Sequence, residues 1–477
     1  MYTFFLSIVL LMAGYGVYGA LVDKVFKPDD SNPTPAYTMA DSVDYIPIST
    51  PKAFLIQLLN IAGLGPVFGA LSGALWGPAA FLWIVFGSIF AGAVHDYFSG
   101  MLSLRHKGSN VPDIVGIYLG PTIKKIMVAF SVILLILVGT VFMTGPAQLL
   151  HVLSAKSFSV TFWLVIILCY YFLATILPID KIIGRLYPLF GAILIFMAIG
   201  VTGGILFQGY TIPELTLTNL HPGKLPIWPL MFISIACGAI SGFHATQSPI
   251  MSRCIKKESD GRKVFYGAMI AEAIIALIWA AAGMAFYNGT PGLAAAIKAG
   301  GPGAVVHEIS TALLGPIGGV LAVLGVIVCP ITSGDTAFRA ARLTIADTLD
   351  FIQKPIRNRL YIAIPLFTVG AILSQINFDI VWRYFAWTNQ TLAMIVLWAA
   401  AVYLVQKRLF HWIATLPAAF MSAVSVTYIL QAPEGFKFPV SISYPVGIIS
   451  SLFLFGIFLS YVIKQKNMDV SGQQLTG

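Results

Sequence analysis

Ionisable and amide side chains are costly in an apolar setting, and this chain sets several there in tight groups. The stretch "GAISGFHATQSP", residues 238–249, carries Ser241, Gly242, His244 and Gln247 inside an apolar run. An imidazole titrates at about pH 6.5, so His244 can accept a proton near neutrality. With Gln247 it can equally hydrogen-bond a substrate, or a carbonyl freed by a broken helix. His95 and Asp96 are adjacent in "AGAVHD", where they suit a gate, a proton relay or an interfacial polar pair. Glu272 stands alone in "GAMIAEAIIALIWAA"; a carboxylate so placed is a proton-carrier candidate, or a structural partner for His95 or Arg339. Thr332, Ser333 and Asp335 follow Pro330. Their hydroxyls can help hold Na⁺ and the carboxylate can carry a proton, while Asp335 and Arg339, four residues apart, can instead pair with each other. Asn389 and Gln390 in "FAWTNQTLA" suit a pore lining or helix–helix hydrogen bonds. His95, Asp96 and His244 are metal-ligand types, but no H-E-x-x-H or C-x-x-C spacing is present, so no metal site or other cofactor is expected. A catalytic aspartate pair of the intramembrane-protease kind would have to be Asp96 and Asp335, and Asp335 has Arg339 one turn away.

The elements that must position these groups are membrane helices. The 477 residues are 58% apolar and 10% charged, against about 45–50% and about 25% in soluble domains. Apolar runs of about 20 residues recur from end to end, each long enough to cross a bilayer. Short alternating barrel strands are excluded. The runs predict about thirteen spans, near 3–22, 52–77, 78–103, 121–146, 159–179, 187–207, 229–253, 265–286, 316–338, 360–376, 378–405, 411–431 and 441–463. The first has no preceding Lys or Arg and no A-x-A site, and reads as a retained helix. Of the 28 Lys and Arg residues, 23 fall in one set of alternating loops and 5 in the other. That bias places the N-terminus outside and the C-terminus in the cytoplasm. The net charge of +9 is therefore a topology signal, not a nucleic-acid footprint. The four cysteines lie in or beside spans, so no disulfide framework is expected. No G-x-x-x-x-G-K-[ST] motif is present, so nucleotide hydrolysis is not expected.

Two spans interrupt themselves. The second contains Asn60, then Gly63, Leu64, Gly65 and Pro66; the seventh contains the 238–249 stretch with Pro249. Proline lacks an N–H and pushes the residue before it out of the α region. Unwound backbone at membrane depth is tolerated where it is buried in protein or lines a cavity. The freed groups and half-helix N-termini of such breaks can bind a substrate carboxylate or ions. Five spans beginning with a broken one, then five more beginning with a broken one of opposite direction, form an inverted 5+5 pattern. This divides the chain into an extra helix and loop at 1–51, repeat one at 52–207, an external loop at 208–228, repeat two at 229–405, and two peripheral helices with a tail at 406–477. Small residues also serve close helix packing, but two symmetric, proline-bearing breaks favour a transport site. The sensor that binds a nutrient without moving it, and the membrane enzyme, are the alternatives.

"DSVDYIPI" (41–48), "IAGLGPVFG" (61–69), "AGAVHD" (91–96), "GAISGFHATQSP" (238–249), "ITSGDTAFRAARLTIAD" (331–347) and "WRYFAWTNQTLA" (382–393) resemble the carbon starvation protein A (CstA) family, in the family's order. The resemblance implies uptake of peptides or pyruvate across the bacterial inner membrane when preferred carbon runs short. It also implies the 5+5 (LeuT/APC-like) fold. The reading that results is a secondary active importer driven by H⁺ or Na⁺ as the coupling ion.

Overall fold

The structure is a computed structural model that describes residues 1–41, 44–154, 157–176, 180–353 and 355–474. Ser42 and Val43 of the 41–48 motif, and residues 177–179 of the fifth expected span, lie outside the described residues. Among the described residues every regular element is helical. Among the described residues ten helices are long and apolar enough to cross a membrane, or eleven with the bent pair Thr50–Ile61 and Gly65–Trp76, which meet at 57°.

Burial sorts these helices into an inner and an outer set. In Ala79–Arg105, Glu258–Phe286 and Phe378–Gln406, 83% of the apolar window is buried. The figure is 22% for Tyr2–Phe26 and for Val440–Asn467, and 17% for Ile356–Leu373. Helices apolar all round but exposed must face lipid, because only lipid matches such a surface. The candidate residues His95, Asp96, Glu272, Asn389 and Gln390 all sit on the inner three. These five polar candidates are therefore carried by the helices most buried within the protein.

Both expected breaks are present, with different geometry. In the first, Thr50–Ile61 ends at Ala62, and a wide-turn segment Gly65–Gly69 restarts the chain. In the second, Leu230–Ser234 and Ala236–Ala239 are followed by extended backbone at Ile240 (φ −159°) and Ser241 (φ −146°), and then by Gly242–Ser252. Pro249 is not the cause of that break, since it lies inside the half-helix Gly242–Ser252. His244 and Gln247, expected at the break, sit in that half-helix beyond it.

The stretch between the expected spans 265–286 and 316–338 is helical from Thr290 onward. Thr290–Val323 turns at Gly301 (φ 75°) and Gly315 (φ 62°), where glycine alone enters the left-handed region without strain. His307 and Glu308, read as loop residues, are on this helix. The ninth expected span runs on from Pro316 through a wide turn, Leu324–Val328, into Cys329–Thr348.

Candidate transport site

The two breaks meet. A Cβ added at Gly65 would lie 2.3 Å from both Cβ and Sγ of Cys237, and one at Gly238 would lie 3.9 Å from the Cα of Pro66. Glycine at 65 is thus a condition of contact between two segments about 170 residues apart in sequence. Gly63 is closed in by the Phe142 ring, 2.6 Å from where its Cβ would stand.

Asn389 holds the second break open. Its Oδ1 accepts from the Phe243 N–H at 2.7 Å and from Ser241 Oγ at 3.1 Å. A side-chain oxygen from another helix thus caps the half-helix Gly242–Ser252, the role a local Ser or Asn ordinarily fills. Gly242 permits the approach, for a Cβ there would fall 2.3 Å from the Asn389 carbonyl. Gln390 Nε2 donates to the Phe232 carbonyl at 2.6 Å, and Ser88 Oγ donates to the Gly238 carbonyl at 3.1 Å. Asn389 and Gln390 therefore both make hydrogen bonds between helices.

Just past the cap lies a fully buried ionisable cluster. Asp96 Oδ1 contacts His95 Nδ1 at 2.8 Å, and Asp96 Oδ2 contacts His244 Nδ1 at 2.8 Å. The other ring nitrogen, His244 Nε2, lies 3.3 Å from Glu272 Oε2. That last contact is within ion-pair reach but off hydrogen-bond alignment, and both Glu272 oxygens lack a hydrogen-bond partner. All four side chains have no exposed surface. Glu272 thus partners His244, not the His95 or Arg339 that its sequence context offered. A serine seam joins the same two helices: Ser99 Oγ donates to Ser248 Oγ at 3.1 Å, and Ser252 Oγ donates to the Gly100 carbonyl at 2.7 Å.

Thr332, Ser333 and Asp335 are placed elsewhere. Their helix packs on Pro121–Leu153, and Phe142 stands between it and the first break, touching the positions of both Gly63 and Gly334. Thr332 Oγ1 donates to the Cys329 carbonyl at 2.8 Å, and Arg339 pairs with Asp335 at 3.0 Å. Asn60 is half-buried. Gln247 is buried and donates to Thr246 Oγ1 at 2.9 Å. Among the described residues no group of three or more His, Cys, Asp or Glu residues is arranged to hold a metal ion.

Sequence reasoning passed over Gln57, Cys237 and Phe142. Gln57 is fully buried one turn before the first break, with neither amide atom hydrogen-bonded. Its signal was an amide inside "AFLIQLLN". Cys237 and Phe142 look like ordinary apolar residues, and only contact reveals their position.

A cavity of about 290 Å³ reaches Thr246, two residues past His244, and extends to Arg253, Asn110 and Asp347. Arg253 Nη2 meets Asn110 Oδ1 at 3.4 Å, and Asn110 Nδ2 meets Asp347 Oδ2 at 3.4 Å. This chain of long hydrogen bonds crosses the end of the cavity that Arg253, Asn110 and Asp347 line. A larger cavity of about 530 Å³, walled by residues such as Trp83, Phe86, Phe90 and Phe420, offers a carboxylate almost no polar partner.

Comparison with known proteins agrees with this architecture. A family model described as carbon starvation protein CstA matches residues 1–168 and 147–290. An uncharacterized membrane protein of Haemophilus influenzae is 44% identical over 349 residues, 62% of this chain and 94% of its own length. The peptide transporter CstA of Bacillus subtilis is 25% identical, over 88% of each chain. The pyruvate/proton symporter BtsT of Escherichia coli is 26% identical, over 57% of this chain and 47% of its own. Among solved structures, inward-facing Mhp1 is similar with a TM-score of 0.54 at 16% identity, covering 87% of this chain and 91% of Mhp1. MhsT in complex with L-phenylalanine gives 0.53 at 18% identity, covering 87% and 98%. At those identities the likeness is one of fold, the LeuT fold. The named relatives and these neighbours are transporters, not enzymes.

Proposed function

This chain belongs to the carbon starvation protein family, and from that premise we propose that it is a secondary active importer of peptides or pyruvate, coupled to a cation, most simply the proton. It works by alternating access in the bacterial inner membrane, with its N-terminus outside and its C-terminus in the cytoplasm. On this reading thirteen spans cross the membrane, and the core is an inverted repeat of 52–207 and 229–405.

The observation that carries the reading is the contact of the two breaks, Gly63–Pro66 with Cys237–Ser241, beside a buried cluster of His and carboxylate side chains. Broken helices that meet in the core are where transporters of this type bind cargo. Buried ionisable groups in a membrane are costly and mark ion or proton pathways. The half-helix starting at Gly65 presents its positive end near the junction, which suits the carboxylate shared by pyruvate and a peptide C-terminus. Asn60, Gly63, Leu64, Gly65, Pro66, Ser241, Gly242 and Gln247 are the proposed substrate surround. The cavity from Thr246 to Asp347 is the proposed cytoplasmic exit. His95, Asp96 and Glu272 on one side, and Thr332, Ser333 and Asp335 on the other, are the two groups able to carry the coupling ion.

The test is uptake by the purified protein in proteoliposomes, with labelled pyruvate, dialanine and trialanine under an imposed ΔpH or a Na⁺ gradient. Gradient-dependent accumulation of one cargo is expected. Tight binding of a cargo with neither accumulation nor counterflow would replace this reading with that of a nutrient sensor.

A further inference from the structure

Resting on that importer reading, we infer that the coupling proton is bound between His244 Nε2 and Glu272 Oε2, one proton to the site. The argument is a count. The chain Asp96–His244–Glu272 has two contacts, His244 Nδ1 to Asp96 Oδ2 at 2.8 Å and His244 Nε2 to Glu272 Oε2 at 3.3 Å. Each sets a ring nitrogen against a carboxylate oxygen, and each needs one proton to be attractive. A neutral imidazole between two carboxylates brings only one proton for the two contacts. This holds whichever tautomer His244 adopts and whichever partner the proton is assigned to.

Filling both contacts takes one proton more. The three groups then carry a net charge of −1 in place of −2, in a site with no exposed surface, where uncompensated charge is strongly disfavoured. His95 cannot supply the extra proton while neutral, since its own is committed to Asp96 Oδ1 at 2.8 Å. The titratable groups facing His244 are Asp96 and Glu272, and His244 is the one in contact with Glu272. Among the described residues no lysine or arginine is within ion-pair distance of Asp96 or Glu272.

The step balances simply. A proton from water on the outer side adds to the His244–Glu272 pair, and the same proton leaves to water on the inner side. No other bond forms or breaks. The one proton that remains stays in the shorter, aligned contact to Asp96 at 2.8 Å, so losing the other in place would set the Nε2 lone pair against Glu272 at 3.3 Å, and separation of His244 and Glu272 relieves that repulsion. They lie on different elements, the half-helix Gly242–Ser252 and the helix Gly267–Phe286. Relative movement of these two elements is therefore the event that the proton controls. Of the two groups able to carry the ion, this count selects Glu272 with His244 over Asp335, which already has Arg339 at 3.0 Å.

The experiment compares wild type with Glu272→Gln in proteoliposomes, using whichever of labelled pyruvate or dialanine the wild type accumulates. Glu272→Gln is expected to keep at least a third of wild-type counterflow, to lose ΔpH-driven accumulation at least tenfold, and to show counterflow that no longer varies with pH. Retained accumulation under ΔpH, or accumulation driven by Na⁺ alone in wild type, would overturn the proton site while leaving the importer reading intact. Absence of both accumulation and counterflow in wild type would instead overturn the importer reading. If Glu272→Gln does not purify as a folded protein, proton uptake by wild type in weakly buffered detergent solution replaces it. About one proton bound per site on cargo binding is expected, and none would overturn the assignment.

Discussion

At the scale of the residue, Asp96 is the organising group of the site. Its two oxygens orient two imidazoles at once, each at 2.8 Å. Asp96→Ala would strand both rings in a site without solvent. Breaking a buried charged pair by removing one partner costs about 3–5 kcal/mol, and we expect a correspondingly lower melting temperature in detergent. Asp96→Asn keeps one acceptor oxygen and should fall between the two. Equal melting temperatures for wild type and Asp96→Ala would mean that the rings find other partners. The candidate list from sequence contained all four members of this cluster, because an ionisable residue in an apolar run is conspicuous. Their pairing was not legible. His95 and Asp96 are neighbours in the chain, but His244 and Glu272 lie about 150 and 180 residues away, and three-dimensional packing alone decides which imidazole meets which carboxylate.

At the scale of the element, the two breaks depend on groups supplied from elsewhere. The half-helix Gly242–Ser252 is capped by Asn389 of another helix. Asn389→Leu removes the acceptor for the Phe243 N–H and Ser241 Oγ, and an orphaned buried donor costs about 1–3 kcal/mol. Loss of that order is expected by thermal unfolding, with Asn389→Asp less affected because it retains an acceptor oxygen. The contact of the breaks can be probed from both sides. Gly65→Ala drives a methyl into Cys237, and overpacking of this kind costs about 1–3 kcal/mol. The nearest obstructing atoms are Cβ and Sγ of Cys237, so Cys237→Gly should relieve the clash. A double-variant cycle should show a coupling of at least about 0.5 kcal/mol; strict additivity would show that the two positions do not touch. Sequence reading located the first break well, because Gly63, Gly65 and Pro66 are themselves the interruption. It placed the second less well, because Pro249 suggested a fault that instead lies at Ile240–Ser241. The true signal was Ser241 and Gly242, whose partner Asn389 is 147 residues further on.

At the scale of the molecule, burial sorts the helices into layers and the loop charges underlie the proposed orientation. The inner helices carry the chemistry, while Tyr2–Phe26, Ile356–Leu373 and Val440–Asn467 offer mostly exposed apolar surface. The arginine- and lysine-rich side is also tied together. Arg105 bonds the Lys27 carbonyl at 2.9 Å, Tyr403 Oη at 2.6 Å and the nearly buried Glu258 at 3.0 Å. By the positive-inside rule this is the side we propose to be cytoplasmic. A fluorescent-protein fusion at the C-terminus should therefore fluoresce, and an alkaline phosphatase fusion at the same point should be inactive. The opposite pair of results would invert the topology and, with it, the direction in which the proton and cargo are taken to move.

The sequence by itself determined the class of molecule, the interruption of two helices and the identity of the ionisable residues. Apolar run length, glycine and proline chemistry and the price of charge in hydrocarbon are local properties, readable one segment at a time. Only the tertiary structure decided that Gly65 touches Cys237, that Asn389 caps a helix it does not belong to, and that Asp335 is spent on Arg339 while Glu272 faces His244. Those outcomes depend on which faces pack together. Close approach at Gly65 and Gly242 and the pairing of a few buried polar atoms both take part in that choice, and each joins residues far apart in the chain.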